Sequence, residues 1–253
     1  MSTRLNRDSL LPFIGVAGLI VIWQLLVTGR IIDPVLLPPP LTTAQAIYDG
    51  VANGKLGIDF WITIQRTAAA VALASLIGIP VGLILGASEK LYRSCEFIVD
   101  FFRSTPSTAI FPLFLLLFGV DDRTKIYVAT FAASLAIIFN VAYGVMNARK
   151  TRLQAARLMG ASKLHILLVV LLESFPQTFI GLRTGVSLSL IVVIVAEMFI
   201  GAKDGLGDRI FETQQMFDMP GMYAAIFASG ALGYGLNLVF RLIERRIVHW
   251  SGK

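Results

Sequence analysis

The hydrophobic pattern of this 253-residue chain consists of long uncharged runs, not the alternation of a half-buried sheet. No Asp, Glu, Lys or Arg occurs between Asp8 and Arg30, between Arg66 and Glu89, or between Arg103 and Asp121. The same holds between Lys125 and Arg149, between Arg183 and Glu197, and between Asp218 and Arg241. Backbone amides in hydrocarbon find no water, so each run must satisfy its own hydrogen bonds as a helix. The pattern predicts six transmembrane helices, an all-α polytopic membrane protein, with Pro80, Pro106 and Pro112 as kinks or helix starts. The segment 164–182 has only Ile166–Leu172 as an apolar core before Glu173 and Pro176. It reads as an interfacial helix leading into the fifth span.

Little chain is left outside these runs. Residues 30–60 carry Pro38–Pro39–Pro40 and a short amphipathic helix pattern with Thr42 or Thr43 as its cap. Residues 201–218 read as a polar external loop with a Gly205–Leu206–Gly207 turn. The N-terminal run is longer than a signal-peptide core and no A-x-A-like site follows it, so it reads as a retained span.

Composition agrees: 56% of residues are hydrophobic and 15% charged, against roughly 25% charged in soluble domains. The formal charge of +6 comes from basic residues sorted by side, which removes nucleic acid as the implied partner. With both termini cytoplasmic, the inner segments hold Arg4, Arg7, Lys90, Arg93, Arg149, Lys150, Arg152, Arg157, Lys163, Arg241, Arg245, Arg246 and Lys253. The outer segments hold Arg30, Lys55, Arg66, Arg123, Lys125, Lys203 and Arg209. That 13:7 distribution favours this orientation, and the loop at 147–165 decides it with five basic residues and no acid.

Catalytic chemistry is not visible. The run Gly50–Val51–Ala52–Asn53–Gly54–Lys55 has one residue too few for a P-loop, and Leu56 stands where Ser or Thr belongs. His165 and His249 lack partners at metal-ligand spacing, and the single Cys95 allows no disulfide and no Cys-based metal site. Uphill transport would therefore draw its energy from another subunit.

In the basic loop, Gln154, Ala155, Ala156, Arg157, Gly160, Ala161 and Ser162 describe a short helix turning at a glycine. Such a knob suits a groove on another protein; the residues alone equally allow an ordinary amphipathic interfacial helix. The spacing resembles the EAA signature of bacterial ABC-importer permeases. QAA stands at 154–156, then Gly160, then nine residues to Val170, Leu171, Leu172 and Glu173. Gln154 replaces the acid of the signature and Glu173 its proline. The stretches at 78–88, 101–126, 181–207 and 242–250 are similar to the nitrate/sulfonate/taurine/bicarbonate branch.

The resemblance implies a type I (MetI-like) importer fold. The N-terminal helix and external segment would occupy 1–60, and a five-helix core 61–253, with a coupling helix at about 151–164. It further implies a homodimer in the bacterial inner membrane, two cytoplasmic ATPase subunits carrying ATP and Mg, and an external binding protein. No cofactor is expected in this chain itself. Permeases for thiamine precursors and other heterocycles share these motifs. An ATP-independent carrier would need an inverted repeat and a midplane ion site; neither is visible in the sequence.

Ionisable residues within spans invite a functional reading. Glu96, Asp100 and Arg103 fall on one helix face, where Asp100 and Arg103 can pair. Glu197 would line the pathway, gate it, or be held structurally by hydrogen bonds; Lys203 or Arg209 would neutralise it near an anion. Pro106, Ser107, Thr108, Asn140, Ser187 and Ser189 are milder pathway candidates, and the two serines at 187 and 189 cannot share a helix face. Arg183 would snorkel at the inner boundary. Gly78 and Gly82 stand at the spacing that permits close helix packing.

Overall fold

The structure, a computed structural model, describes residues 11–247 apart from 53, 149 and 202, and those residues form only helices and their connections. In chain order they are α1 (Leu11–Thr28), α2 (Pro40–Ala52), α3 (Lys55–Gly86) and α4 (Glu89–Ser104). A 3₁₀ turn (Ser107–Ile110) leads into α5 (Phe111–Phe118), followed by α6 (Asp122–Met146) and α7 (Lys150–Leu158). The chain continues as α8 (Lys163–Ile200), α9 (Leu206–Gln215) and α10 (Met219–Ile247).

The core forms around α6, which lies between α3 and α8. Its inner face is built from small and β-branched residues, among them Val128, Ala129, Ala133, Ile137, Val141 and Ala142. Apolar lipid gives helices no hydrophobic reason to associate, so contact depends on how closely the backbones approach. A Cβ on Gly78 would lie 2.8 Å from Ile137, one on Gly82 2.7 Å from Val141, and one on Gly86 2.7 Å from the Ala142 carbonyl oxygen. The expected glycine ridge is therefore real, and it extends one turn further than its two sequence positions. At the periphery, α1 is attached through Trp23, whose Nε1 donates to the Pro38 carbonyl at 3.0 Å and whose ring stacks on Phe227 of α10.

Five helices, α1, α3, α6, α8 and α10, are long and apolar enough to cross a membrane. A sixth crossing is present only if α4 and the segment after it count together as one broken span. The uncharged run after Arg103 breaks at Pro106, and α4 and the segment Ser107–Phe118 meet at 90°. Pro106 cannot donate a helical hydrogen bond, and it drives Thr105 to extended backbone.

Three further expectations change. Segment 164–182 is not a separate interfacial helix: it is collinear with the fifth span in α8, and Pro176 costs one backbone bond without ending the helix. At 38 residues, α8 is about 57 Å long, well beyond a hydrocarbon core of roughly 30 Å. The helix expected after Leu41 begins at Pro40, a residue suited to the first helical position, so neither Thr42 nor Thr43 caps it. Thr43 instead donates its hydroxyl to the Pro39 carbonyl. The polar loop at 201–218 contains the helix α9.

Candidate functional site

At the ends remote from the basic loop, α3, α6 and α8 close around charged side chains, among them Arg66, Lys125 and Glu197 at the edges of the uncharged runs. Glu197 is fully buried. Its carboxylate accepts from Thr63 Oγ1 at 3.1 and 3.0 Å, from Arg66 Nη1 at 2.7 Å and from the Gly207 N–H at 2.9 Å. Arg66 Nη1 also donates to the Asp204 carbonyl, and Nη2 to Asp122 Oδ1, each at 2.7 Å. Lys125 Nζ reaches the same Asp122 oxygen at 3.0 Å. Beside them, Asp59 accepts from the Gly205 N–H at 2.9 Å and Arg209 Nε at 2.8 Å, while the Leu206 N–H donates to Thr63 Oγ1.

Three cations (Arg66, Lys125, Arg209) thus meet the anions Glu197, Asp122 and Asp59, and Arg209 also reaches Glu212. Burying Glu197, Asp59 or Arg66 alone would be costly; as a hydrogen-bonded set they hold the α8–α9 turn onto the bundle. The turn is shaped to fit. Gly205 has φ +132, and a Cβ there would lie 2.6 Å from the Glu197 carboxyl carbon. In the first turn of α9 the Gly207 N–H donates to the Glu197 carboxylate, which lies at the favourable end of the helix dipole for an anion.

This clasp resolves the open reading of Glu197 toward its hydrogen-bonded role, and it corrects the expected neutraliser. Arg66 pairs with Glu197, whereas Arg209 turns to Asp59 and Glu212. The pattern is present in the sequence. Asp59, Thr63 and Arg66 fall at i, i+4 and i+7, the same spacing that singled out Glu96, Asp100 and Arg103.

At the opposite end of α8 lies the basic loop. Ala156 is buried, and Gln154 and Ala155 are exposed; the side chain of Arg157 lies outside the described residues. Gly160 has φ +74 with open space around it, so its need for glycine is torsional and not steric. The Ala161 N–H returns to the Ala156 carbonyl at 3.0 Å, the six-residue closure of a glycine-ended helix. Ser162 then caps α8, its hydroxyl accepting from the His165 N–H at 3.3 Å. The tip presents Leu158 and Met159, 89% and 81% exposed. Glu173, one of the two departures from the signature, accepts a hydrogen bond from Arg152 of α7 and ties that helix to the α8 stalk.

The remaining pathway candidates do not converge on one point. Asn140 Oδ1 accepts from Gln177 Nε2 at 3.0 Å, joining α6 to α8. Ser187 bonds Asn237 of α10, while Ser189 is buried with its hydroxyl unpartnered. Pro106 forms the bend, with Ser107 half-buried and Thr108 exposed just after it. Arg103 lies 3.6 Å from Asp100 and 4.0 Å above the Phe139 ring. Arg183 comes within 3.8 Å of Glu244 on α10. Among the described residues, no group of three or more His, Cys, Asp or Glu is placed to hold a metal ion.

Residues 78–249 match the family described as binding-protein-dependent transport system inner membrane component. A probable ABC transporter permease protein of Brucella abortus is 30% identical over 96% of this chain and 95% of its own length. The taurine transport system permease protein of Escherichia coli is 27% identical over 98% and 92%. The bicarbonate transport system permease protein of Synechococcus elongatus is 29% identical over 94% and 89%. Among solved structures, a chain of the inward-facing MetNI methionine ABC transporter superposes with a TM-score of 0.66 at 22% identity, covering 76% of this chain and 95% of that one. The fold is thus that of a MetI-type permease, and the family is a transport component that works with ATPase and binding-protein partners. The chain belongs to the inner-membrane components of binding-protein-dependent transport systems, as a multi-pass ABC-importer permease.

Proposed function

We propose that two copies of this chain form the translocation pathway for a small anion, such as a sulfonate, nitrate, bicarbonate or a related organic acid. Two cytoplasmic ATPase subunits, carrying ATP and Mg, sit beneath the pair, and an external binding protein delivers the substrate. Both termini lie on the cytoplasmic side. The substrate class rests on the taurine and bicarbonate relatives; the coupling role rests on the turn at Gly160.

That turn is the observation that carries the reading. A helix of nine residues ends in a left-handed glycine and presents exposed Leu158 and Met159 beside the small residues Ala155 and Ala161. Exposed apolar groups on a basic, water-facing loop fit a protein groove. Movement imposed there has a stiff path outward. Arg152 holds α7 to Glu173, and Glu173 and Glu197 are separated by 24 residues of one helix, about 36 Å. At its far end that helix is fixed to α3 and α6 through the clasp, so α8 transmits displacement as a rod. ATP-driven closure beneath would rock the bundle and open the pathway to the other side.

The substrate class is tested by reconstituting the permease with its ATPase and binding protein and measuring ATP-driven uptake of labelled taurine, nitrate and bicarbonate. Saturable uptake of at least one anion, competed by the others or by their analogues, is the expected result. Uptake confined to a neutral or cationic nutrient would overturn it.

A further inference from the structure

Two arginines in this bundle are treated in opposite ways. Arg66 is buried, and both of its terminal nitrogens are taken up by acceptors. Arg103 makes no hydrogen bond among the described residues. Its side chain is 44% exposed, it forms a long ion pair with Asp100 at 3.6 Å, and its guanidinium carbon sits 4.0 Å from the centre of the Phe139 ring.

The surface beneath Arg103 is also unusual. Along α6, Tyr127, Phe131, Leu135, Phe139 and Tyr143 recur every four residues. The upper part of this row is covered by the broken span: Phe118 packs edge-on to Tyr127 and Phe102 edge-on to Phe131. Below the Pro106 bend, Phe139 stacks on Tyr143, which is 48% exposed. Phe139 stands seven residues from the cytoplasmic end of α6, about 10 Å inside it. A guanidinium and a carboxylate that are each about half exposed and joined only by a 3.6 Å contact would be strongly unfavourable facing hydrocarbon at that depth, so this face borders water. An aromatic ring under one side of the guanidinium supports it, and with no hydrogen bond made among the described residues its N–H groups remain available. This is the geometry that grips a planar or tetrahedral oxyanion through two parallel hydrogen bonds.

We propose that Arg103, seated on Phe139 below the Pro106 bend, is an oxyanion-binding group in the wall of the translocation pathway. The inference rests on the anion-import reading above and gives that reading a selecting residue. Asp100, loosely placed beside the guanidinium, holds it between passages without saturating it, so a passing sulfonate or carboxylate competes for free donors.

The test uses water-soluble methanethiosulfonates as probes, the sulfonatoethyl reagent being itself an oxyanion and the trimethylammonioethyl reagent its cationic counterpart. Tyr143→Cys and, as a second reporter, Leu135→Cys are made in a Cys95→Ala background, in the assembled transporter. The expected result is preferential modification by the anionic reagent. Arg103→Gln should lower the anionic-to-cationic rate ratio roughly tenfold, and Arg103→Lys should retain most of it. If both reagents react at a ratio that Arg103→Gln leaves unchanged, the pathway stands and the oxyanion site is overturned. If neither reporter reacts with either reagent, the aromatic row is not water-lined and the proposal fails at its first step. Uptake of labelled anions by the unmutated transporter, measured in parallel, tests the import reading independently.

Discussion

Glu197 and Gly160 show how differently one side chain can be constrained. Glu197 has no water to return to, so removing its partner leaves a buried charge. Glu197→Ala or Arg66→Met alone should destabilise the purified protein by about 3–5 kcal/mol, the usual cost of orphaning a buried ion. The double variant Arg66→Met/Glu197→Leu should cost clearly less than the sum, because no charge remains unpaired. Thermal unfolding of the four proteins in detergent measures this; strict additivity would contradict the clasp. Gly160 is constrained only in φ. Gly160→Ala should cost about 1 kcal/mol, and Gly160→Asn less, since asparagine tolerates the left-handed region. Readable from the chain at this scale were the loop residues, whose spacing is local. The Arg66–Glu197 pair was not, because its partners are 131 residues apart and each had served as the edge of a span. A charge ends an apolar run in the sequence whether it meets solvent or an opposite charge inside the bundle.

Among the elements, α3 and α8 differ most from the uncharged runs that announced them. The run after Arg66 foretold a helix from that point, yet α3 starts at Lys55, because Asp59 and Arg66 are paired and need no solvent. Pro176 suggested a break, but a single missing hydrogen bond does not stop a helix that is well packed on the membrane side. Pro106 does break one: Thr105 before it is extended, and the chain restarts as a 3₁₀ turn and α5 that pack on α6 in a new direction. Two predictions belong here. Gly82→Leu places a side chain where a Cβ already lies 2.7 Å from Val141 and 2.9 Å from the Ile138 carbonyl. Overpacking of this kind costs about 1–3 kcal/mol or forces the helices apart, and a lowered unfolding temperature would report it. Arg152→Glu should uncouple α7 from the stalk and reduce uptake with ATPase binding retained. The swap Arg152→Glu/Glu173→Arg should recover part of the lost transport. No recovery would mean that the pair does not position the loop.

The whole molecule exposes more apolar surface than one copy can justify in water. The most apolar windows of α1 and α10 are only 6% buried, against 67% for α6. Lipid is the natural cover in a family of membrane transport components, and the proposed second copy would cover a further part. The architecture places a compact, glycine-packed core of α3, α6 and α8 between an outer clasp and an inner turn, with α8 continuous between them. From the chain alone, membrane residence, five of the spans and the glycine-ended helix of the basic loop were legible, because each depends on contiguous residues. The clasp, the bent third crossing and the stalk required the third dimension. The central claim is that the turn at 154–162 receives force from an ATPase, and Gly160→Glu tests it most directly. The variant should insert and express normally, fail to retain the ATPase subunits on purification, and lose ATP-driven uptake in proteoliposomes. Normal ATPase retention with undiminished uptake would contradict the account.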